Sequence, residues 1–254
     1  MVKERILSVD IFRGATILLM VLVNTPGTWS NVYGPFLHAD WHGYTPTDLV
    51  FPFFLFIVGT SIAFSYKGRK VNAEVYKKIG VRTLKAPNNL ANWLDVQVFG
   101  THNYKADYDP EGLLSTIPSI ASSLLGVFTG LILTSKQAKK ATILMGLGGS
   151  FLIIGHIWDL VFPINKALWT SSFVLVTAGW ANLILALIYY LTDVRKIEFG
   201  SVFRYAGANA IVIYFLSSFI SKIMGQIEIG DTSLHGWLFQ KVYVHNFLAL
   251  EASS

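Results

Sequence analysis

The chain has 254 residues, of which 53% are hydrophobic and only 14% are charged. Soluble globular domains carry about 25% charged residues, so this composition excludes an ordinary soluble enzyme, a disordered tail and a coiled coil, and indicates lipid as the main solvent. A membrane span takes about 20 residues plus a connection, so the length accommodates roughly six to nine spans and no separate soluble domain. We therefore predict a single membrane domain over residues 1–254.

Six apolar segments have the length of a membrane-spanning helix. The first contains Asp10 and Arg13 within its apolar stretch, which a signal peptide would not, so we predict an uncleaved span. A last apolar piece at about 234–250 is expected to be interfacial or re-entrant. The spans are expected at about 6–23, 45–66, 113–133, 141–162, 169–191 and 205–224. The predicted fold is an all-α polytopic integral membrane helical bundle with about six clear transmembrane helices.

Lysine and arginine predict which loops face the cytoplasm. Basic residues precede the first span and crowd the stretch 67–85, whereas the loop 30–46 has none. This pattern places the N-terminus inside and the first loop outside, so the second span runs from outside to inside. In the second half, basic residues at 136–140 and 195–204 mark inner loops and place the turn at 162–169 outside. The third span is therefore also predicted to run from outside to inside.

Two consecutive spans cannot run in the same direction unless the chain crosses the membrane between them. The stretch 86–112 is polar, with scattered charges and two prolines, and is not expected to cross. Either the charge rule fails once, or an odd number of spans is missing near the 85/86 junction, and we favour missing spans. The junction divides the domain into N-terminal spans with an outer loop, 1–85, and C-terminal spans, 86–254.

The predicted outer loop and the start of the second span hold an unusual set of polar residues. His38 is our first candidate for a functional role, because a histidine side chain can exchange a proton near neutral pH or carry an acyl group. The alternative is an interfacial histidine bonded to backbone, and His42 is the competing candidate. Asp48 either stabilises the start of the second helix or orients a ring N–H of His38.

The first span carries three further candidates. Asn24, at its outer end, is either an ordinary helix-end residue or an amide donor for a developing oxyanion. Asp10 and Arg13 are three residues apart and can pair on one helix face near the inner end. The pair either neutralises itself, or Arg13 meets an anionic ligand from the cytosol, since guanidinium suits phosphate.

The second half yields structural expectations only. Trp169 is expected to be an interfacial anchor, and Asn209 a buried amide that joins helices within the sixth span. His156 and Asp159 lie one helical turn apart, but no third ligand has helical spacing nearby, so no metal site is predicted. The basic clusters flank apolar segments without a basic-aromatic pattern, so lipid head groups rather than nucleic acid are the expected contact.

Several segments together resemble a known family, namely SVDIFRG (8–14), VN (23–24), HADWHGYTPTDLVFPFFLFIVG (38–59), DPEGLLSTIPSI (109–120), PINKALWTSSF (163–173) and GANAIVIY (207–214). They resemble the transmembrane acyltransferase family of heparan-alpha-glucosaminide N-acetyltransferase and its bacterial homologues. The resemblance implies acetyl-CoA bound from the cytosol as acyl donor, and transfer of the acetyl group to a sugar amine or hydroxyl on the other side of the membrane. His38 then matches the catalytic histidine and Asn24 the active-site asparagine.

The other candidates match motif positions whose individual roles the resemblance does not assign. We predict His38, Asn24 and Asp48 as catalytic residues and, for acetyl-CoA, Arg13 and Asp10 as binding residues. The implied partners are the lipid bilayer and a glycan or amino-sugar acceptor, a homodimer is compatible, and the implied location is a bacterial inner membrane with the N-terminus inside. Relatives have further spans between the equivalents of residues 85 and 89 and a final span after that of 247, so this chain is expected to be shortened. The alternatives are a transporter or channel component and a non-catalytic remnant of the family.

Overall fold

The computed structural model describes residues 6–26, 32–65, 113–230 and 232–244, and most of these residues are helical. The α-helices are α1 (Leu7–Asn24), α2 (Pro46–Ser65), α3 (Leu113–Thr134), α4 (Lys140–Asp159), α5 (Ser171–Tyr189), α6 (Ser201–Ala208), α7 (Ala210–Gln226) and α8 (Leu234–Leu238). Short additional elements are a 3-10 turn at Gly34–Phe36 and π-helical turns at Tyr190–Val194 and Phe239–Val244. A two-residue antiparallel ribbon pairs β1 (Glu228–Ile229) with β2 (Thr232–Ser233).

Within the described ranges, four helical segments are long and apolar enough to cross a membrane: Leu7–Asn24, Pro46–Phe64, Lys140–Asp159 and Ser171–Val194. The bent pair α6 and α7 makes a fifth if it is taken as one span. The third predicted span is helical as α3, with Pro118 inside it, and its Pro118–Thr134 part is a shorter apolar helix. The all-α class is confirmed, and the count of about six spans stays a prediction.

The sixth predicted span is not one straight helix. The chain bends by 85° between α6 and α7, at Asn209. The amide of Asn209 is exposed and donates to the carbonyl oxygen of Tyr205 at 3.0 Å, so its expected burial between helices is wrong. Just before the bend α6 packs closely against α1: Gly14 and Gly207 face each other with no space for a Cβ on either.

Helices α2 and α3 pack side by side and run in the same direction. Phe56 contacts Gly126 and, further along both helices, Ala63 contacts Gly130. The hydroxyl of Thr60 donates to the backbone oxygen of Gly126 at 3.1 Å, which joins the helices in their buried centre. The parallel direction agrees with the charge pattern. The residues that connect the two helices, and with them the 85/86 junction, lie outside the described residues.

The described helices have two ends, each formed by both halves of the chain. At one, the loops 33–45 and 160–170 meet: the backbone N–H of Gly43 donates to the carbonyl of Ile164 at 2.8 Å. We call it the His38 end. At the other, which we call the Asp193 end, the carboxylate of Asp193 accepts the backbone N–H groups of Leu7 and Ser8 at 3.3 and 3.0 Å. This carboxylate caps the orphan donors at the start of α1. The two loops predicted to lie outside therefore share one end.

Candidate functional site

Asp48 is the centre of the polar cluster at the His38 end. It lies in the first turn of α2, and its side chain is 1% exposed. Its Oδ2 accepts the backbone N–H groups of Ala39 and Thr45 at 3.0 and 2.9 Å. A carboxylate in this position holds the preceding loop against the helix start and also interacts favourably with the helix dipole. Asp48 therefore stabilises the start of α2, as one of the two sequence alternatives proposed.

The second alternative for Asp48 is also present in the structure. Nδ1 of His38 lies 2.7 Å from Oδ1 of Asp48. Because an ionised carboxylate can only accept, Nδ1–H is the donor of this hydrogen bond. The tautomer is thereby assigned, and the lone pair of the neutral ring is on Nε2. The His38 side chain is 58% exposed, so a buried carboxylate orients an accessible imidazole.

A lysine from the second half of the chain completes the cluster. Lys166 lies in the loop between α4 and α5, and its Nζ is 3.2 Å from Oδ1 of Asp48 and 3.0 Å from Nδ1 of His38. Sequence reasoning placed this lysine in an outer turn without assigning it a role. The available signal was that Lys166 is the only basic residue in the 160–170 turn.

Asn165 connects the two loops that form the site. Its side chain is buried, its Nδ2 donates to the backbone oxygen of Trp41 at 2.8 Å, and its Oδ1 accepts the N–H of Leu168 at 2.9 Å. One amide thus satisfies a carbonyl of the first loop and an N–H of the second. This double contact positions the neighbouring Lys166 against the His38–Asp48 pair.

Trp169 lies inside the protein, so the expectation that it is an interfacial anchor is wrong. It is 4% exposed, and its Nε1–H donates to the hydroxyl of Ser122 at 3.1 Å. Its ring packs edge-to-face against Phe51 and Phe173. The left-handed backbone at Trp169, with φ of 50°, turns the indole inward, where Ser122 satisfies its N–H. A sequence reading based on the usual preference of tryptophan for the membrane interface could not foresee this partner.

Two of the candidates at the His38 end stay outside the cluster. Asn24 is the exposed last residue of α1, and in the described part of the chain no hydrogen bond joins it to His38. His42 is exposed, and its ring lies 6.4 Å from the ring of Trp41. The structure therefore brings together His38 and Asp48 and adds Lys166, while the role of Asn24 stays a prediction.

Asp10 and Arg13 lie towards the Asp193 end of α1. Nη2 of Arg13 is 3.6 Å from Oδ1 of Asp10, so the pairing expected from their spacing is present. The guanidinium also donates to the backbone oxygen of Gly207 at 3.3 Å and to the hydroxyl of Ser61 at 3.4 Å. The carbonyl of Gly207 lies beside the bend between α6 and α7. Arg13 therefore links three helices.

Arg13 also borders an open, mostly apolar cavity. The cavity has a volume of about 230 Å³ and is lined by Arg13, Phe54, Ile57, Val58, Ser61 and Ile62. Ser61 follows Asp48 by 13 residues on α2, which corresponds to about 20 Å at 1.5 Å per residue. The point on α2 that Arg13 contacts therefore lies about 20 Å along that helix from Asp48. Across 6–26, 32–65, 113–230 and 232–244, no three His, Asp or Glu side chains are grouped to hold a metal ion.

Comparisons with known proteins identify the family that the sequence motifs resemble. Residues 5–89 match the sequence model of the family described as heparan-alpha-glucosaminide N-acetyltransferase, catalytic. The resemblance to these acetyltransferases is confirmed. Among the similar proteins, the human heparan-alpha-glucosaminide N-acetyltransferase is 25% identical over 348 residues, covering 83% of this chain and 52% of the human protein. The mouse protein of the same name is 36% identical over 116 residues, covering 42% of this chain and 18% of the mouse protein.

The extent of the match to the human acetyltransferase shows how the lengths of the two chains differ. The chain spans about half the length of the human acetyltransferase that it matches. The aligned region of 348 residues is longer than the whole 254-residue chain, so the human acetyltransferase has residues inside it without a counterpart here. This difference fits the expectation of an internally shortened chain. The matched range 5–89 includes His38 and Asp48, whereas Lys166 lies beyond it.

Proposed function

We propose that this chain is a membrane acetyltransferase that uses His38 to transfer an acetyl group from acetyl-CoA to a sugar amine or hydroxyl. The observation that carries the proposal is the 2.7 Å contact between Nδ1 of the accessible His38 and Oδ1 of the buried Asp48. A histidine oriented by a buried carboxylate is the arrangement that serves as base or acyl carrier in acyl transfer. Both residues lie in the range that matches the acetyltransferase family.

His38 has two possible roles, and both use the lone pair of Nε2. As general base, Nε2 takes a proton from the acceptor while the acceptor nitrogen or oxygen attacks the thioester carbonyl, and the CoA thiolate leaves and is protonated. As acetyl carrier, Nε2 attacks the thioester and releases the CoA thiolate, and the acceptor then takes the acetyl group from the imidazole. In either case the ring becomes cationic during the reaction, and the Asp48 carboxylate stabilises that cation. Asn24 would supply an amide donor to the developing oxyanion.

The donor is proposed to enter at the Asp193 end. Arg13 borders a cavity there, and a guanidinium group binds phosphate through paired N–H donors. Asp10, 3.6 Å from Arg13, would orient the guanidinium. In this proposal the Asp193 end faces the cytosol, and the acetyl group reaches His38 and a glycan acceptor at the opposite face of a bacterial inner membrane. The separation of about 20 Å along α2 is suited to a donor whose charged and reactive groups lie far apart.

The deciding experiment measures acetyl transfer by the full chain in lipid vesicles. With radiolabelled acetyl-CoA and glucosamine, His38→Ala is expected to lower the rate by about 10²–10⁴-fold, because this range is typical of acid–base catalysis. His42→Ala is the matched control and should keep the wild-type rate. A His38→Ala rate within about threefold of wild type would refute the role of His38. Absence of transfer by the wild-type chain, with a range of amino sugars and glycans as acceptors, would indicate a non-catalytic member of the family.

A further inference from the structure

We propose that Lys166 is a positioning residue that offsets the charge of Asp48, so that the carboxylate orients His38 with its reactive lone pair on Nε2 without favouring the cationic ring. The use of this effect in acetyl transfer rests on the proposed function, whereas the effect on the charge of His38 does not. Lys166 and His38 are 128 residues apart in sequence, and their side-chain nitrogens are 3.0 Å apart. Lys166 lies beyond residues 5–89, the range that matches the family model.

The three polar atoms at the centre of the cluster form a triangle that favours a proton on Nδ1 of His38. Oδ1 of Asp48 lies 2.7 Å from Nδ1 of His38 and 3.2 Å from Nζ of Lys166. If Nδ1 had no proton it would accept from Lys166, and its lone pair would face the carboxylate lone pairs at 2.7 Å, which is repulsive. If Nδ1 carries the proton, it donates to Oδ1 and Lys166 donates to the same oxygen. In the second arrangement both nitrogens donate to the carboxylate, and the 3.0 Å approach of Nζ to Nδ1 is a contact between two donors that this shared acceptor holds together.

The ammonium of Lys166 opposes the effect of the Asp48 carboxylate on the ring. Among the described residues, the charged groups beside the ring are Asp48 from α2 and Lys166 from the loop after α4, while Asp40 and His42 follow in the loop of His38 itself. The opposite unit charges of Asp48 and Lys166 offset each other at the ring. A second positive charge on the ring would lie 3.0 Å from the ammonium. Without the lysine, the carboxylate would favour the imidazolium, in which Nε2 has no lone pair.

The loop geometry is suited to this role. The buried side chain of Asn165 joins the backbone of Trp41 to that of Leu168, so the residue next to Lys166 is tied to the loop of His38. The lysine side chain is 27% exposed, which reduces the freedom of the ammonium to move into solvent. The second half of the chain thereby adjusts the electrostatics of a residue pair that lies entirely in the first half.

The test measures the neutral fraction of His38 without requiring any acetyl transfer. Diethyl pyrocarbonate modifies neutral imidazole, and mass spectrometry of the His38 peptide gives the reaction rate as a function of pH. Replacing Lys166 by glutamine (Lys166→Gln) should raise the midpoint of this curve by about one pH unit, the effect of a unit charge 3.0 Å away in a water-like dielectric. Lys166→Arg, which keeps the charge, should have a His38 midpoint within about 0.3 pH unit of the wild-type value.

Two controls separate this effect from a general change in the protein. Lys136→Gln removes an exposed lysine from the loop between α3 and α4 and should leave the His38 midpoint unchanged. The curve of His156, whose Nδ1 lies 2.8 Å from the carbonyl of Leu152, serves as an internal reference in every variant. Asp48→Asn should move the His38 midpoint to lower pH, because the ammonium then acts unopposed.

The outcomes distinguish this proposal from the proposed function. A His38 midpoint in Lys166→Gln equal to that of wild type would overturn the role of Lys166, even in a chain that transfers acetyl groups. Should that variant not fold, an unchanged midpoint in Asp48→Asn would overturn it equally. The predicted shift in a chain without acetyl transfer would support the electrostatic role and refute the proposed function.

Discussion

The backbone carbonyl of Phe56 in α2 lies directly against Gly126 in α3, in a contact that leaves no space for a Cβ. Close approach through glycine is how helices pack tightly in lipid, where the hydrophobic effect does not drive their association. Here the contact joins two neighbouring helices that run in the same direction, so residues 65 and 113 lie at opposite ends of the described structure. The stability of this parallel pair can be tested at its glycine.

Gly126→Ala should destabilise the protein by about 1–3 kcal/mol or more, because the added methyl group overpacks a backbone contact that cannot move aside like a flexible side chain. Gly146→Ala in α4 is the matched control, since a Cβ there meets nothing within 4 Å. The control should be neutral or stabilised by up to about 1 kcal/mol, owing to the helix propensity of alanine. Unfolding of the two variants in mixed detergent and SDS measures both values. Equal stability of the two variants would argue against the parallel packing.

Asp48→Asn should lower the acetyl-transfer rate by about 10²–10⁴-fold while the chain stays folded, because the amide can present a donor to Nδ1 and no longer selects the tautomer with its lone pair on Nε2. Asp40→Asn changes an exposed carboxylate of the same loop and should retain the wild-type rate. The comparison is made in the vesicle assay. A similar loss in both variants would indicate that the loop needs negative charge in general and not an oriented histidine.

Asn165→Ala should lower the free energy of unfolding by about 1–3 kcal/mol, because the backbone oxygen of Trp41 and the N–H of Leu168 each lose a partner in a part-buried or buried setting. Gln137→Ala, which removes an exposed amide from the loop before α4, should change stability by less than about 0.5 kcal/mol. Thermal unfolding in detergent compares the two. A cost in Asn165→Ala no larger than in Gln137→Ala would show that the two loops do not depend on this amide.

Arg13→Gln should weaken binding of acetyl-CoA by roughly tenfold or more, because a hydrogen bond to a charged group contributes about 1.5–3 kcal/mol. Arg195→Gln, which changes an exposed arginine just after the π-helical turn, is the control at the same end. The increase in unfolding temperature with added acetyl-CoA measures binding without requiring turnover. Undiminished stabilisation of Arg13→Gln would leave the guanidinium with its structural role alone, as the link between α1, Ser61 and Gly207.

The chain contains no cysteine, so single cysteines can report which end faces the cytosol. Tyr33→Cys places a thiol at an 81% exposed position of the His38 end. Ile197→Cys places one at a 48% exposed position of the Asp193 end, just after the π-helical turn. From the basic residues we expect a membrane-impermeant maleimide, added outside intact cells, to label the first and not the second. The reverse pattern would invert the proposed direction of acetyl transfer.

Much of the helical framework follows from local sequence. The apolar stretches at 6–23 and 141–162 predict α1 and α4 to within a few residues, since hydropathy and length act locally. The spacing of Asp10 and Arg13 predicts their pairing, because residues three apart share a helix face. Expectations that depended on distant partners were wrong for two residues: Trp169 is buried against Ser122, and Asn209 lies at a bend where α6 packs on α1.

In the candidate site, too, some features follow from local sequence and others depend on distant parts of the chain. From the sequence, a contact between His38 and Asp48 was one of two alternatives for Asp48, because both residues lie near the start of one helix, and the charge pattern predicted that the two outer loops share one end. Only the tertiary structure decided that Lys166 joins them and that, in the described residues, no hydrogen bond or ion pair connects Asn24 or His42 to Asp48. A side chain 128 residues away reaches the histidine through packing between α2, α3 and α5, and no periodicity or motif within a single segment encodes that distance.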